Sequence, residues 1–422
     1  MSSFAAVEAQ YDAYPYPQPS VVAQQLPVDF SRGVLNFLTR RRADDWLGAK
    51  LRIWVAGCGT QQASMWALCY PEAEIVATDL SDGVLDIARD LAAQLPIGKV
   101  HFEKQNIAEA PYEDEFDLVV STGVIHHMPD PVVGATSLRR ALKPAGAAIL
   151  MVYNQAHRLA LDPLRRAHRL LSTEGASDDE RYELATHMLD AALAAPRCAL
   201  VGRPTLDVLV AARAKDRPFV ADALLHPLEH TYDITGLLDL LDGAGLRHAS
   251  WLYPPRWDLE HYLSDEQLLA AYQGLDQADQ WQVLYALTGF NSPLLEVIAE
   301  RRDAPPRPPY ELEEVLALRL VRSHGVQGFG IEEAKVTREG FIPPYEIVGD
   351  QLKARPRVAF GPGTDFTAPA AVREIIDAFT EPRSVGEVVD ALSARFSRDE
   401  LIQTIANLLP CEVGLLAPVS PG

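Results

Sequence analysis

Short apolar runs alternate with helix-period segments from about residue 34 to residue 154 of this chain. Runs of β-branched and aromatic residues predict buried strands, and apolar residues spaced three and four apart predict amphipathic helices. The pattern predicts strand 51–55, helix 61–69, strand 74–78, helix 83–94, strand 99–103, strand 116–121, helix 132–142 and strand 146–153. Such alternation is typical of a parallel sheet with helices on both faces.

Beyond residue 156 the pattern becomes mainly helical. The helical pattern predicts two caps inserted into the sheet domain, at residues 156–230 and 255–290. The remaining predicted elements are helix 232–245, helical stretch 264–287 and strands 248–253 and 293–299. The predicted fold class is therefore α/β: a Rossmann-like, doubly wound, mostly parallel seven-stranded sheet with helical cap insertions, spanning residues 31–302.

Both ends of the chain differ from this domain. Residues 1–30 predict an irregular lid segment, because several prolines there are incompatible with a regular helix. Residues 303–310 are rich in proline and predict a stiff linker. Residues 311–422 predict a separate, small and mainly helical domain.

Within this C-terminal domain we expect strand 357–360, helix 370–379, a helix from Ser384 through Phe396 and a helix from Ser397 through Leu409. Each of the two serines is followed three residues later by glutamate, which is the pattern of a capping box. Three short helices and a strand are similar in pattern to small winged-helix modules.

Two glycines occupy the turn between the first predicted strand and its helix. Gly57 and Gly59 carry no side chain, so the backbone there can approach a ligand closely. The second strand ends in Asp79, where doubly wound folds place the carboxylate that binds ribose hydroxyls. The alternative for Asp79 is a cap on the helix that begins near Ser81. Together, the turn and the acid indicate a nucleotide-binding βαβ unit.

Two departures from known motifs narrow the choice of nucleotide ligand. A dinucleotide motif needs a third glycine where this chain has Gln62, so NAD is disfavoured. The turn also lacks the Lys-Ser/Thr pair with which a P-loop holds a nucleoside triphosphate. A nucleoside without phosphates is the ligand that is left.

Four segments, 55–60, 77–81, 116–130 and 142–146, resemble the motifs of class I S-adenosylmethionine-dependent methyltransferases in order and spacing. The resemblance implies that S-adenosylmethionine is the cofactor, that the glycine turn holds its methionine part and that Asp79 holds its ribose. Family members commonly have an acid before the first glycine, whereas this chain has Ala56. We expect Ser121, Thr122 or a backbone carbonyl to bind the cofactor's ammonium group instead.

The adenine side is predicted around Leu80, Asn106 and Ile107. Asn106 lies where the family places an acid or amide against the adenine amino group, and an amide can both accept and donate. The alternative is a loop asparagine bonded to its own backbone. Tyr11 and Tyr16 resemble an N-terminal segment that folds over the cofactor in some members, with surface packing as the alternative.

His126 and His127 follow the fourth predicted strand, at the edge where open α/β sheets collect their ligands. Either is a candidate general base, since a neutral imidazole can take the proton that an acceptor oxygen or nitrogen loses. The alternatives are a packing role for both histidines and a reaction that alignment alone accelerates.

Resemblance to bacterial relatives suggests His226, His230 and Tyr232 as contacts of the acceptor substrate. Two histidines four residues apart can also bind a metal when they share a helix. Pro227 lies between them and favours an irregular loop, so we predict no metal site.

Charge and composition limit the partners and the cellular location that can be expected. The net charge of −20 disfavours nucleic acid as a bulk partner, because phosphate backbones are negative. A basic stretch at residues 165–169 is interpreted as a solvated helix face. The chain has no apolar run long enough for a membrane span and no basic signal-peptide start, which predicts a cytoplasmic protein without a membrane partner. The four cysteines lack disulfide or metal-ligand spacing.

Three functions fit these observations. The leading hypothesis is methyl transfer from S-adenosylmethionine to an oxygen or nitrogen of a small molecule or peptide. The second is a protein or peptide methyltransferase whose C-terminal domain recruits the substrate. The third is a non-catalytic cofactor-sensing or interaction protein. The acceptor and the oligomeric state are left open.

Overall fold

A computed structural model gives the structure of the chain. It describes residues 3–17, 32–41, 50–70, 72–95, 97–159, 161–194, 209–211, 213, 216–252, 254–257, 259, 262, 265–288, 293–322, 329–330, 335–336, 345–348, 351–354, 366–367, 374–375, 378–408 and 416–419. Within these ranges, no helix has both the length and the apolar character needed to cross a membrane.

Seven strands form one sheet in the order β3-β2-β1-β4-β5-β7-β6. They are β1 (Arg52–Ala56), β2 (Glu74–Asp79), β3 (Val100–Lys104), β4 (Phe116–Thr122), β5 (Leu142–Tyr153), β6 (Leu246–Trp251) and β7 (Leu294–Arg301). Strands β1 to β5 are parallel, and β7 is antiparallel to β5 and β6. The predicted Rossmann-like sheet is confirmed. Because β2 and β4 lie on opposite sides of β1, a ligand crevice is expected at the carboxyl ends of these strands.

Helices flank the sheet domain. They are α1 (Ser3–Ala13), α2 (Arg32–Leu38), α3 (Gln62–Cys69), α4 (Asp82–Ala93), α5 (Pro131–Ala141), α6 (Gln155–Arg158), α7 (Leu161–Leu171), α8 (Asp178–Ala194), α9 (Arg217–Leu225), α10 (Ile234–Gly243), α11 (Glu266–Gln273) and α12 (Gln277–Thr288). Single 3-10 turns occur at Ile107–Glu109, Ile125–His127 and Pro254–Trp257. The predicted helical stretch 264–287 is thus two helices, separated around Gly274.

Side chains of β1 alternate between two cores, as the period of a strand requires. Ile53 and Val55 pack in one core with residues of α2, α3 and α4. Trp54 and Ala56 pack in the other with residues of α5 and α10. Each of these β1 side chains is fully buried, and burial of a side chain the size of Val55 or Ile53 contributes about 1.5–3 kcal/mol. The central strand is therefore held rigidly where the glycine turn leaves it.

The prediction of an irregular N-terminal segment is wrong for residues 3–13, which form α1. Its helix-compatible residues precede the prolines, and the helix ends before Pro15. Lys104 ties α1 to α4, with its ammonium 2.7 Å from Glu8 and 2.8 Å from Asp82. Tyr14 donates a hydrogen bond of 2.7 Å to the carbonyl of Asp178 in α8.

The interpretation of residues 165–169 as a solvated face is also wrong for Arg165 and His168, which are buried. Arg165 makes a two-pronged ion pair with Glu229. Glu229 comes from a loop far along the chain, so the local pattern of α7 carried no signal for it. The cap helices α7, α8 and α9 share a small apolar core that includes Leu161, Leu189 and Val220.

The C-terminal region contains α13 (Leu312–Ala317), β8 (Arg319–Arg322), β9 (Phe329–Gly330), β10 (Lys335–Val336), β11 (Tyr345–Val348), β12 (Gln351–Ala354), β13 (Phe366–Thr367), β14 (Arg383–Ser384), α14 (Val385–Leu392), α15 (Arg398–Leu408) and β15 (Leu416–Pro418). Strands β14, β8 and β15 form a sheet that shares a core with α14 and α15. The capping box of Ser384 with Glu387 is confirmed. Ser397 accepts a hydrogen bond of 3.1 Å from the Glu400 amide.

Two predictions for this region fall partly or wholly beyond the described residues. Strand 357–360 lies outside them, and helix 370–379 is described only at residues 374–375 and 378–379. The predicted helix end at 396 is four residues too far, since α14 ends at Leu392, whereas the predicted end at 409 lies just outside the described residues. The domain boundaries and the winged-helix likeness stay predictions.

The C-terminal region contacts the side of the sheet where the parallel strands begin, which is called the amino-terminal edge below. The rings of Phe37 in α2 and Tyr310 stack at 5.4 Å, and Tyr310 donates a hydrogen bond of 2.6 Å to the carbonyl of Arg41. Nearby, the buried carboxylate of Glu300 contacts three guanidinium groups, those of Arg41 at 3.7 Å, Arg247 at 3.0 Å and Arg307.

The Glu300 cluster predicts a large stability effect. Glu300→Ala leaves three arginines around a buried site without their carboxylate, and removing one member of a buried ion cluster costs about 3 kcal/mol or more. Urea unfolding should show this loss. Asp86→Ala, which removes an exposed partner of Arg89, should cost about 0.5 kcal/mol or less. Similar losses in the free energy of unfolding for the two variants would contradict a stabilising role of the Glu300 cluster.

Candidate functional site

A cavity of about 420 Å³ opens at the carboxyl ends of the parallel strands, beneath α1 and the cap helices. Its volume lies in the range of small-molecule and cofactor sites. Most of the predicted site residues line it: Tyr11, Tyr16, Gly57, Gly59, Asp79, Leu80, Asn106, Ile107, Thr122 and His127. Gln62, Tyr153, Arg158 and Asp222 line it as well.

The glycine turn forms one wall of this cavity. Gly57 has φ of +75° and Gly59 has φ of +53°, a left-handed conformation that side-chain-bearing residues rarely adopt. A Cβ atom on Gly57 would lie 2.4 Å from a methyl carbon of Val124, and one on Gly59 would lie 3.0 Å from the carbonyl oxygen of Tyr16. Glycine is therefore required at both positions, as the sequence pattern indicated.

Asp79 connects the turn with the next helix. Its carboxylate accepts hydrogen bonds from the Gly59 amide at 3.0 Å and from the Ser81 amide at 3.1 Å. Burial raises the pKa of Asp79, and these amide contacts oppose that rise. The helix cap is Ser81 itself, whose hydroxyl accepts from the Val84 amide at 3.1 Å. A carboxylate has about four acceptor positions, so two amides leave room for ribose hydroxyls.

The predicted adenine side lies past the ends of β2 and β3. Ile107 is buried, and Leu80 and Ile107 both present apolar surface to the cavity. The Asn106 side-chain oxygen accepts a hydrogen bond of 3.0 Å from the Ala108 amide. Asn106 thus makes the local backbone contact named as its alternative, and its NH₂ group is what it can offer a purine. An adenine contact by Asn106 stays a prediction.

The N-terminal segment covers the cavity with two tyrosines. The Tyr11 ring lies 5.6 Å from the ring of His226, and burial raises the pKa of Tyr11. Burial also raises the pKa of Tyr16. The segment is pinned to the glycine turn, because Thr60 donates a hydrogen bond to the carbonyl of Pro17. A lid over the ligand is consistent with this placement.

Of the two hydroxyl residues predicted to bind the cofactor's ammonium group, only one lines the cavity at the end of β4. Thr122 lines the cavity and accepts a hydrogen bond from the side-chain NH₂ of Gln62. Ser121 is fully buried and is not among the residues that line the cavity. The reason is that consecutive strand residues point to opposite faces.

His127 is the histidine of the predicted pair that reaches the cavity. Its Nδ1 lies 2.8 Å from the carbonyl of Leu228, so Nδ1 carries the proton and Nε2 keeps its lone pair. Burial lowers the pKa of His127 to about 3, which keeps the ring neutral near pH 7. Nε2 has no hydrogen-bond partner among the described residues and lies 3.8 Å from a carboxylate oxygen of Asp222.

Asp222 and His226 complete a buried polar cluster with His127. The second oxygen of Asp222 accepts a hydrogen bond of 2.7 Å from Tyr153. One ligand atom from each of the three cluster residues lies within 4.8 Å of the others, a spacing that can hold a metal ion. However, His226 Nδ1 accepts from the Leu228 amide at 3.2 Å, which puts the proton of a neutral ring on Nε2. In this tautomer Nε2 is a donor and not a metal ligand.

The other predicted side chains lie behind this cluster. His126 is fully buried against Tyr153, with 4.0 Å between ring centroids, and its pKa is lowered by burial. His230 contacts the carbonyl of Met128 at 3.1 Å, in a loop rather than a helix. The Tyr232 amide donates a hydrogen bond of 3.0 Å to the Tyr153 carbonyl, and burial raises the pKa of Tyr232 to about 12. Direct substrate contact by these residues stays a prediction.

Arg158 is a cavity residue that the sequence did not single out. Its guanidinium lies 3.5 Å from the centre of the Tyr153 ring and 3.5 Å from Glu229. Tyr153 ends β5, Arg158 ends α6 and Glu229 comes from the loop after α9. Glu229 is far from the other two in the sequence, and no short motif joins it to them.

The buried neutral histidine predicts a pH effect on stability. An unfolded histidine takes up a proton below about pH 6.5, whereas His127 takes one up only near pH 3. The free energy of unfolding should therefore fall as the pH is lowered from 6.5, by about 1.4 kcal/mol per pH unit for His127. In urea unfolding between pH 6.5 and 4.5, His127→Asn should flatten the slope by that amount. Equal slopes would contradict a buried neutral ring.

Comparison with known proteins shows what the chain is similar to. The methyltransferase domain family matches residues 54–150. An uncharacterized protein of Synechococcus sp. is 28% identical over 67% of this chain and 68% of its own length. The ubiquinone/menaquinone biosynthesis C-methyltransferase of Vibrio parahaemolyticus is 27% identical over 36% of this chain and 64% of its own. The chain thus matches about two thirds of the length of each of these two relatives.

A solved structure extends the likeness of the fold. The structure of PKMT2 from Rickettsia typhi in complex with AdoHcy aligns with a TM-score of 0.60, at 13% identity, over 93% of this chain and 76% of that protein. The predicted enzyme class and cofactor are confirmed by the family match together with the methyltransferase relatives. The third hypothesis, a non-catalytic protein, has no support from them.

Proposed function

We propose that this chain, which belongs to the class I S-adenosylmethionine-dependent methyltransferases, methylates an oxygen or nitrogen atom of a small acceptor held beside His127. The observation that carries the proposal is the lone pair of His127 Nε2, buried in the same cavity as the glycine turn. A protic acceptor is the group that such a lone pair is suited to bind.

The cavity residues fit the cofactor. Gly57 and Gly59 line the cavity with backbone alone, and Asp79 offers free acceptor positions beside them. Gln62 presents a buried side-chain oxygen that accepts no hydrogen bond within the described residues. We assign Asp79 to the ribose, the glycine turn to the methionine part, and Leu80, Asn106 and Ile107 to the adenine.

S-adenosylmethionine, when bound, supplies an activated methyl group on a sulfonium, and S-adenosylhomocysteine leaves as the carbon–sulfur bond breaks. The chain's own residues align the acceptor and exclude water, which accounts for much of the rate in reactions of this kind. The acceptor oxygen or nitrogen forms the new bond to carbon and loses its proton to His127 Nε2. Asp222, 3.8 Å away, stabilises the imidazolium that results.

The tautomer of His127 suits this role. The Leu228 carbonyl holds the Nδ1–H and aims Nε2 at the space next to Asp222. Two facing acceptors, Nε2 and the carboxylate, favour a donor group such as a hydroxyl or an amine between them. Burial lowers the pKa of His127, which keeps the ring neutral but also makes Nε2 a weak base, so proton uptake there depends on the Asp222 carboxylate 3.8 Å away.

A small acceptor is preferred over a polypeptide recruited by the C-terminal region. The described anchor of that region, Tyr310 against Arg41, lies at the amino-terminal edge of the sheet, opposite the cavity. An acceptor can therefore reach His127 without contact to this anchor. The protein or peptide methyltransferase is the second candidate.

A labelling experiment separates the two candidates. The full chain is incubated with methyl-labelled S-adenosylmethionine and extracts of cells, and the label is divided by ultrafiltration into small molecules and protein. We expect the label in the small-molecule fraction. Label confined to protein would favour the second candidate, and no transfer in extracts from several bacteria would count against both.

Substitution of the two adjacent histidines tests the role of His127. On the acceptor fraction that is labelled, His127→Asn should lower kcat by about 10²–10⁴-fold, the usual contribution of a general base. His126→Asn is the matched control, because His126 is equally buried but lies outside the cavity lining. Both variants should bind S-adenosylmethionine like the wild type. Equal losses of kcat would contradict a base at position 127.

A further inference from the structure

The side chain of Gln62 has a fixed orientation at the start of α3. Its NH₂ group donates to the Thr122 hydroxyl at the end of β4, and this contact joins the helix to the strand. The other side-chain atom, Oε1, is buried and accepts no hydrogen bond from the rest of the described chain. Buried amide oxygens nearly always have a donor from protein, water or ligand, and because Gln62 lines the cavity, a bound ligand can supply it here.

The sheet order shows which part of the cofactor meets this oxygen. Asp79 ends β2, and Asn106 and Ile107 follow β3, so the adenosine assignment covers the β2–β3 side of the cavity. Gln62 and Thr122 lie on the other side, over β1 and β4. A cofactor laid across the strand ends therefore brings its methionine end to Gln62.

The methionine end carries an ammonium group, and this cavity offers it few anions. Among the described lining residues, the carboxylates are those of Asp79 and Asp222. Asp79 lies on the ribose side, and Asp222 is bonded to Tyr153 on the acceptor side. Ala56, just before the turn, is buried and has no polar side chain.

We infer that Gln62 Oε1 is the acceptor for the ammonium group of the cofactor, with Thr122 as the residue that holds Gln62 in place. Gln62 thus does more than replace a glycine of a dinucleotide motif: it supplies a neutral ammonium site where the chain has no acid. The inference rests on the proposed function, because it takes S-adenosylmethionine as the ligand.

Three ligands distinguish the groups at the methionine end. S-adenosylmethionine carries the ammonium and the carboxylate, decarboxylated S-adenosylmethionine keeps the ammonium alone, and 5′-methylthioadenosine has neither. In calorimetry with the full chain, Gln62→Leu should weaken the first two about tenfold, or roughly 1.4 kcal/mol. It should leave 5′-methylthioadenosine unchanged, and that binding also shows that the variant is folded. Gln62→Glu should bind the first two ligands at least as tightly as the wild type.

Gln105→Leu is the matched control. Gln105 also lines the cavity, but on the adenine side, where it donates a hydrogen bond of 2.9 Å to the Asn106 carbonyl. Any loss in this variant should be the same for all three ligands. A Gln62→Leu loss that is equal for all three, or that appears only with the carboxylate-bearing ligand, overturns the inference while leaving the proposed function intact. A wild-type chain that binds none of the three overturns both.

Discussion

The contact on which the site most depends is the pair of hydrogen bonds from two backbone amides to the carboxylate of Asp79. One amide belongs to Gly59 in the turn after β1, and the other to Ser81 at the start of α4. This single side chain therefore joins the turn after β1 to the segment that follows β2. The cavity wall, the helix cap and the proposed ribose site all follow from its position.

The remainder of the site is built by distant parts of the chain that pack onto this frame. Helix α1 and the segment after it cover the turn, and the cap brings Asp222 and His226 against His127. Burial keeps the histidines of this cluster neutral, as the lowered pKa values of His127 and His226 show. A largely apolar cavity with few acceptors suits a reaction in which a positively charged methyl donor becomes neutral.

The part of the site that the sequence predicted is the part that local order determines. Gly57, Gly59 and Asp79 were found because a strand, a turn and a second strand follow one another within thirty residues. The cluster of Tyr153, Arg158 and Glu229 was missed because its members come from β5, α6 and a cap loop, and only the folded chain brings them together. Their pattern in the sequence resembles that of any loop or helix.

Local patterns also misled in identifiable ways. The prolines near Tyr16 led to the prediction of an irregular segment, although a helix precedes them. Arg165 was predicted to be solvated from the pattern of its own helix, but its contact with Glu229 buries it. Ser121 and Thr122 were equivalent candidates in the sequence, and strand alternation placed only Thr122 at the cavity.

The most direct test of the central claim is calorimetry of the wild-type full chain with S-adenosylmethionine and, separately, with NAD. The expected result is that S-adenosylmethionine binds at one site per chain and that NAD does not bind, because Gln62 stands where a dinucleotide motif has glycine. Binding of NAD alone, or of neither ligand, would contradict it.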